Sequence, residues 1–558
     1  MPQISASSPL TRQYLLPTRI VWHGDGAIDP PDMLRALERA SGQVSVFGPK
    51  GSILRQTDAG GMLVDFGREL HGGIQLVVGQ TPGQQPVRLR VRFGESVSEA
   101  MHSPVNDHGM HELTVETAWM SQSDCGSTGF RFARIDVVEA GNFVEIQGLR
   151  AILLARDLPA IGHFECSDPR LNDIWQTGAW TVQLNMQDYL WDGIKRDRLV
   201  WMGDLHPEMM VINAVFGHCD VVTASLDFAR EETPLPGWMN TMSSYSLWWI
   251  LAQHDWYLYQ GDRDYLRRQR EYLLGLLAQV EACVAGDGSM QLPATMLDHP
   301  MSRFPAAVLV GHQALVVLAY EAAGRLLRAL DEPQTAGEWE ARARRLRQRV
   351  PDPGASKQAA ALLLLAGMRD QHDPAMQALF QPPDRHFSPF FGYYVLQARA
   401  KAGDYVGCLD LIRRYWGGML DLGATTFWEH FDLDWLENAG RIDELPVAGR
   451  RDVHAECGEF CYTKFRHSLC HGWSAGPTAW LSRHVLGIHP GAPGFETVTI
   501  APQLGDLRWA SGAFPTPFGP IHVEHRQQDD GKVTTKLELP KGICLRDSDS
   551  TGDGWNGL

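Results

Sequence analysis

A chain of 558 residues is too long for one ordinary domain, and about three are expected. Its 44% hydrophobic and 21% charged content is that of a globular protein able to bury a large core, which excludes a disordered chain. With 66 acids against 50 bases the net charge is −16, so neither a nucleic acid nor an anionic membrane is expected as a partner held by charge.

The first residues, MPQISASSPLTRQYLL, lack a charged region followed by an apolar run, so no secretion signal is expected. No apolar run reaches the roughly 18 residues of a membrane helix. Nine scattered cysteines, an odd number, suggest reduced thiols and a cytoplasmic location. DMLRALERA, residues 32–40, predicts one short helix. From about residue 20 to 155, GGMLVDFGREL, HGGIQLVVG, PVRLRVRFGES, FRFARIDVVEA and FVEIQGLRAILLA alternate or run apolar between Gly and Pro breaks. They predict an N-terminal β-sandwich over residues 1–160.

At HFECSDPRLNDIWQTGAW the period shifts to about 3.6, and Ser167-Asp168-Pro169 supplies an N-cap and an early proline. Helical segments then follow one another to about residue 488. A dozen or so helices joined by short Gly and Pro turns fit an (α/α)6 barrel over residues 161–489. Strands return in FETVTIAP, PFGPIHVEHRQ and VTTKLELP, predicting a small C-terminal β-domain over residues 490–558 with a frayed polar end, RDSDSTGDGWNGL. The expected class is therefore multidomain α+β, a central (α/α)6 barrel flanked by two β-domains.

Two stretches could carry chemistry. DGIKRDRLVWMGD, residues 192–204, interleaves Asp192, Asp197 and Asp204 with Lys195, Arg196 and Arg198 around Trp201. A helix start decorated with surface ion pairs is the plainer reading, but Trp201 and Met202 lie among the charges rather than on a separate stripe. GATTFWEHF, residues 423–431, sets Glu429 between Trp428 and His430 after a run of small residues. A carboxyl in such a partly dry pocket is pushed up by desolvation or held by a neighbouring base.

Paired carboxylates and abundant Trp suit glycoside cleavage. One acid protonates the leaving oxygen, a second carboxylate activates water or attacks, and indole covers the sugar's apolar face. Trp201, Trp248, Trp249, Trp256 and Trp428 lie in rim segments, although each alone is more often core. Cys457, Cys461, Cys470 and His471 lack structural-zinc spacing, so no metal is expected, and no cofactor fingerprint is present. His102, His108, His111 and Glu112 would reach a barrel mouth only if the β-sandwich leaned over it.

The domain order, with DGIKRDRLVWMGD and GATTFWEHF, resembles the α-L-rhamnosidases of glycoside hydrolase family 78, which are six-hairpin glycosidases. Further matches are VDFGRELHGGIQL, YLYQGDRDYL and SLCHGWSAGPTAWLSRHVLGIHPGAPGFETVTIAP. The resemblance implies an exo-acting, inverting hydrolase that removes terminal α-L-rhamnose from a glycoside or oligosaccharide. It implies Asp197 as general acid and Glu429 as general base. Asp192, Arg196, Trp201, Asp204, Trp249, Trp428 and His471 would hold the sugar. Gly193-Ile194 replaces the family's Cys-Pro, Val200 its Gly and Asp197 its Glu. These departures leave open Asp204 or Glu208 as acid, a related deoxy sugar or uronate as glycon, and a non-catalytic carbohydrate-binding descendant. Arg196 is expected to pair with substrate or Asp192, and Arg198 away from Asp197. Apolar helix faces are compatible with a homo-oligomer.

Overall fold

The computed structural model describes residues 8–25, 42–46, 51–55, 60–103, 110–293, 296–382, 384–546 and 557. The segment 32–40, His108 and nearly all of the polar C-terminal end fall outside them.

The N-terminal part is antiparallel: β1 (Leu10–Leu15), β2 (Arg19–His23), β3 (Ser52–Arg55), β4 (Met62–Val78), β5 (Val87–Gly94), β6 (Glu112–Thr117), β7 (Ser121–Val137) and β8 (Phe143–Arg156). The order is β1-β8-β4-β7-β5-β6, with β2 added to β4 and β3 to β8. β4 shifts register between Asp65 and Leu70 and again between Gly72 and Ile74. Irregularities of this kind bend a strand. On the edge away from β7, its first residues pair with β2 and its last with β8, so one strand serves two layers. Met62, Val64, Leu76 and Val78, from its two ends, share one apolar core.

Besides the one-turn helix Val453–Glu456, twelve helices follow among the described residues: α1 (Pro169–Asn185), α2 (Met202–Val215), α3 (Asp220–Glu231), α4 (Ser243–Gln260), α5 (Arg263–Ala282), α6 (Pro305–Ala329), α7 (Pro333–Arg347), α8 (Lys357–Leu365), α9 (Gln377–Phe380), α10 (Pro389–Lys401), α11 (Tyr405–Asp421) and α12 (Gly476–Trp480). As the sequence predicts, Asp168 caps α1 by accepting the Arg170 N–H, and Pro169 opens it. The even-numbered helices form the inner ring, each against the next, and α12 closes it on α2. Their composition fits the position: every residue of α2 is buried and every residue of α4 but Gln260. Helices buried all round need apolar residues all round. This explains α6, which alone among the described helices is long and apolar enough to cross a membrane, yet has 83% of its apolar window buried inside the barrel.

The C-terminal strands are β10 (Ile488–Pro490), β11 (Thr497–Ile500), β12 (Trp509–Phe514), β13 (Ile521–Gln527), β14 (Val533–Glu538) and β15 (Cys544–Leu545). One sheet runs β10-β11-β15. The other runs β14-β13-β12 and ends on β9 (His163–Cys166), a strand that precedes the barrel helices in the chain. That strand lies within the span expected to be helical, and it ties the entrance of the barrel to its exit.

The N-terminal sheet also grips the barrel. Arg131 of β7 donates to both oxygens of Asp65 (2.8 and 2.9 Å) and to the Gly423 carbonyl (3.0 Å). The Glu69 N–H donates to Thr425 Oγ1 at 2.9 Å. Both contacts hold the small-residue run just ahead of Glu429.

Candidate functional site

The loop between α1 and α2 is built to present side chains inward. Asp192 closes its neck, its Oδ1 accepting the Leu199 N–H at 2.9 Å while its own N–H donates to the Leu199 carbonyl at 3.1 Å. Gly193 pairs with His471 as an isolated β-bridge, and a Cβ there would stand 3.1 Å from His471 Nδ1. That contact is the physical reason for glycine where the family pattern has Cys. At the tip Asp197 and Arg198 both take left-handed backbone, φ 56° and 55°, a conformation costing about 1 kcal/mol or more per residue and common at functional sites. The Asn240 amide fixes the far end, accepting from Met202 N–H and donating to the Val200 carbonyl, both 3.0 Å. Helix α2 can then start at Met202, with Asp204 in its first turn.

The second arm is the loop after α11. The Glu429 N–H donates to the Ser468 carbonyl at 3.0 Å and Glu429 Oε2 accepts the Ser468 N–H at 3.2 Å, so Glu429 rides on residues 467–471. The two arms meet around a cavity of about 340 Å³ at the N-terminal ends of the inner helices. Asp192, Arg196, Asp197, Trp201, Asp204, Glu429 and His471 line it.

Its charges are arranged around one guanidinium. Arg196 donates through Nη2 to both oxygens of Glu429, through Nη1 to Asp197 Oδ2 at 3.0 Å, and through Nε to the Arg466 carbonyl at 2.7 Å. This corrects the expected pairing of Arg196 with substrate or Asp192. Arg198 turns away as expected, donating to the Ile194 and Ser127 carbonyls and lying over Trp191. Burial pushes the Glu429 carboxyl up, but Arg196 and His471 outweigh it and hold Glu429 below the usual carboxylate range. Burial likewise pushes His471 down, and Glu429 together with the 3.0 Å contact from Nε2 to Asp204 Oδ1 reverses it, to about 9. The imidazolium therefore keeps a proton on Nδ1, which has no protein acceptor among the described residues and lies 4.0 Å from Glu429 Oε1.

Asp192, Asp204 and Glu208 differ from Glu429. Burial raises all three, and for Glu208 the charges of Asp204 and Asp192 add to it. Asp204 has both oxygens engaged, by His471 and by the Tyr245 hydroxyl at 3.3 Å. Glu208 does not line the cavity. It backs onto Gly472, where a Cβ would fall 1.7 Å from its Oε1. Gly472→Ala must displace a buried carboxyl, and a loss of about 1–3 kcal/mol is expected, measured as the shift in denaturant midpoint.

His471 also sets a pH dependence of stability. Its pKa rises from 6.5 in the unfolded chain to about 9 when folded, so its contribution is full below the first value and is lost as pH climbs through the second. Thermal unfolding scans should show the protein losing stability across that window, and His471→Gln should flatten the loss.

Other sequence-predicted residues do not reach the cavity. Trp249 is buried in the core, its indole N–H on the Leu226 carbonyl, and Trp248 stacks on Tyr394. Trp428 is fully buried behind Glu429 against Phe431 and His467. Packing claims these indoles, which with Trp256, Trp416 and Trp480 are the largest fully buried side chains among the described residues. His102 packs on Phe465 and Glu112 pairs with Arg92, both outside the cavity. Among the described residues Cys457, Cys461, Cys470 and His471 do not converge; Cys461 Sγ lies 3.7 Å from His299 Nε2 in the cavity wall. The one carboxylate–imidazole cluster with metal-ligand spacing among the described residues is Glu95, Glu99 and His454. The Lys195 ammonium already fills it, 2.9 Å from Glu95 and 3.2 Å from Glu99.

Sequence reasoning missed Tyr245, Met242, Met296, His299, Tyr462 and Arg466, which complete the wall. It also missed Trp473, although SLCHGW displays it two residues beyond His471. The left-handed pair Asn240 and Thr241 left no signature in residue type.

Comparisons with known proteins agree with this architecture. Residues 159–352 match the model of the bacterial α-L-rhamnosidase six-hairpin glycosidase domain and residues 487–545 that of the bacterial α-L-rhamnosidase C-terminal domain. An α-L-rhamnosidase of Alteromonas sp. strain LOR is 23% identical over 536 residues, spanning 86% of this chain and 54% of that protein. One from Formosa agariphila is 24% identical over 155 residues, 26% of this chain and 16% of that protein. The chain thus spans about half the length, or less, of these curated relatives. The crystal structure of a family 78 rhamnosidase from Bacillus sp. GL1 superposes with a TM-score of 0.75 at 23% identity, covering 93% of this chain and 55% of that one. A rhamnosidase from Klebsiella oxytoca, solved with rhamnose bound, gives 0.64 at 21% identity, covering 85% of this chain and 96% of that one. By fold and by both domain matches, the chain is similar to the bacterial α-L-rhamnosidases of glycoside hydrolase family 78, whose six-hairpin glycosidase barrel it shares.

Proposed function

We propose that the protein is an exo-acting, inverting α-L-rhamnosidase, with Glu429 as general base and Asp197 as general acid. The observation that carries this reading is the Arg196 bridge, which sets one buried carboxylate and one partly exposed carboxyl on opposite arms of a single guanidinium at the cavity wall. Glu429 is held ionised, as a base must be, and its Oε1 keeps lone-pair capacity for a water. Asp197, with its side chain 19% exposed, stands where an aglycone would leave.

In this mechanism Glu429 takes a proton from a water as its oxygen attacks the anomeric carbon. Asp197 gives a proton to the glycosidic oxygen as that bond breaks. Arg196 stands between the two carboxyls, and inversion needs a separation of roughly 6.5–9.5 Å between them to leave room for the water. The His471 Nδ1–H, Asp192 and Asp204 would bind ring hydroxyls. Trp201, Met242 and Met296 would face the apolar side of a 6-deoxy sugar. A cavity of this volume suits one terminal sugar, which supports exo action.

The test is a panel of nitrophenyl glycosides. Turnover of the α-L-rhamnopyranoside well above that of the α-L-fucoside, α-D-mannoside and β-D-glucuronide is the expected result. Preference for any of the others would replace the glycon, and binding of L-rhamnose without turnover of any rhamnoside would favour a carbohydrate-binding descendant.

A further inference from the structure

Residues 465–469 are pinned on one side by the α1–α2 loop and by the N-terminal domain. The Lys195 ammonium donates to the Phe465 carbonyl (2.9 Å) and the His467 carbonyl (2.6 Å), while its neighbour Arg196 takes the Arg466 carbonyl between them. The Leu469 N–H donates to Glu95 Oε2 at 2.6 Å. On its other side the same segment holds Glu429 through Ser468, and the His467 ring accepts the His430 N–H at 3.0 Å. Glu95 and Glu99 come from the N-terminal domain, at the end of β5 and in the short helix Val97–Met101, which is capped by Ser96. Their geometry is set in turn: the Glu95 N–H donates to Glu99 Oε2 at 2.8 Å, and Ser96 Oγ meets His454 Nδ1 at 2.7 Å, leaving His454 Nε2 to donate to the His467 carbonyl at 3.1 Å.

We propose that Lys195 and Glu95 are positioning residues for Glu429, through which the N-terminal β-domain completes the active site rather than merely flanking it. Neither touches the cavity. Their effect passes through a continuous chain of hydrogen bonds, Glu95 to Leu469 and Lys195 to Phe465 and His467, and from that segment to the Glu429 carboxylate. A lysine buried to 4% exposure with two glutamates is costly to assemble. An apolar residue would fill the same space but would leave the Phe465 carbonyl without this donor and the His467 carbonyl with His454 alone. Lys195 lies next to Arg196, so one dipeptide sends one cation to the scaffold and the next to the base. The inference rests on Glu429 being the base of the proposed hydrolysis.

The test compares Lys195→Met, Glu95→Ala and Glu95→Gln in the full chain. Gln at 95 loses the charge but keeps an acceptor for the Leu469 N–H. In Lys195→Met and Glu95→Ala, kcat on the nitrophenyl α-L-rhamnoside should fall about tenfold or more while KM moves less than about threefold, because a small misplacement of a reacting group is costly in the transition state. Glu95→Gln should recover most of the loss. Hydrogen exchange by mass spectrometry should show residues 465–471 and the Glu429 segment exchanging faster in the first two variants, a readout independent of substrate. Wild-type kcat in folded Lys195→Met and Glu95→Ala, or Glu95→Gln as impaired as Glu95→Ala, would overturn the proposal. A wild type that turns over no rhamnoside counts against the function instead, and the exchange data then decide the positioning alone.

Discussion

Glu429→Gln should lower kcat on aryl α-L-rhamnosides by about a hundredfold or more, within the range for loss of a general base. The variant keeps the volume of the side chain and a carbonyl oxygen for the Ser468 N–H and for Arg196, so the loop should stay in place. What it loses is the site that receives the water's proton. The pH profile sharpens the test. Arg196 and His471 hold Glu429 below the usual carboxylate range, so wild-type kcat should persist into acid solution and fall only when Glu429 takes up its proton. Residual activity in the variant should lack that limb. The buried Arg196 keeps Asp197 and the Arg466 carbonyl as partners, yet it loses a full counter-charge. Unfolding midpoints must therefore accompany the rates.

Asp197→Asn is expected to show a loss that depends on the leaving group. Nitrophenolate departs with little help, so the aryl substrate should lose less than a natural alkyl or sugar rhamnoside, on which about a hundredfold or more is expected. The competing acids behave differently. Asp204 spends both oxygens on His471 and Tyr245, so Asp204→Asn should raise KM about equally for both substrate types. Glu208 lies outside the cavity and faces Gly472, and Glu208→Gln should preserve the leaving-group dependence. A flat response for Asp197→Asn with a steep one for Asp204→Asn would move the proton donor to Asp204.

The barrel was legible because inner and outer helices write different patterns: α2 and α4 carry apolar residues on every face, with few charges among them, and Asp168-Pro169 marks where the helices begin. The family resemblance also grouped Asp192, Asp197, Asp204, Glu429 and His471, which the fold brings to one cavity. The partners of these charges could not be read. Arg196 lies one residue from Asp197 in sequence, and nothing in the chain says that it also spans to Glu429, 233 residues away. The tryptophans were equally opaque. Trp249 and Trp428 look like platforms in a sugar-binding reading, but Trp249 packs against Leu226 and Tyr272 of the outer helices and Trp428 against Phe431 and His467. Gly193 and Gly472 each mark a close approach, to His471 and to Glu208, that only the fold creates. The placement of the His163–Cys166 strand depends on β12, which lies more than three hundred residues further on.

Proton NMR of an aryl α-L-rhamnoside during its first turnovers by the wild type tests the central claim most directly. The anomeric signal of β-L-rhamnose should appear first and decay by mutarotation to the equilibrium mixture, as a single displacement by water activated at Glu429 requires. First release of α-L-rhamnose would mean a covalent intermediate and a second displacement, which contradicts the assigned roles of Glu429 and Asp197.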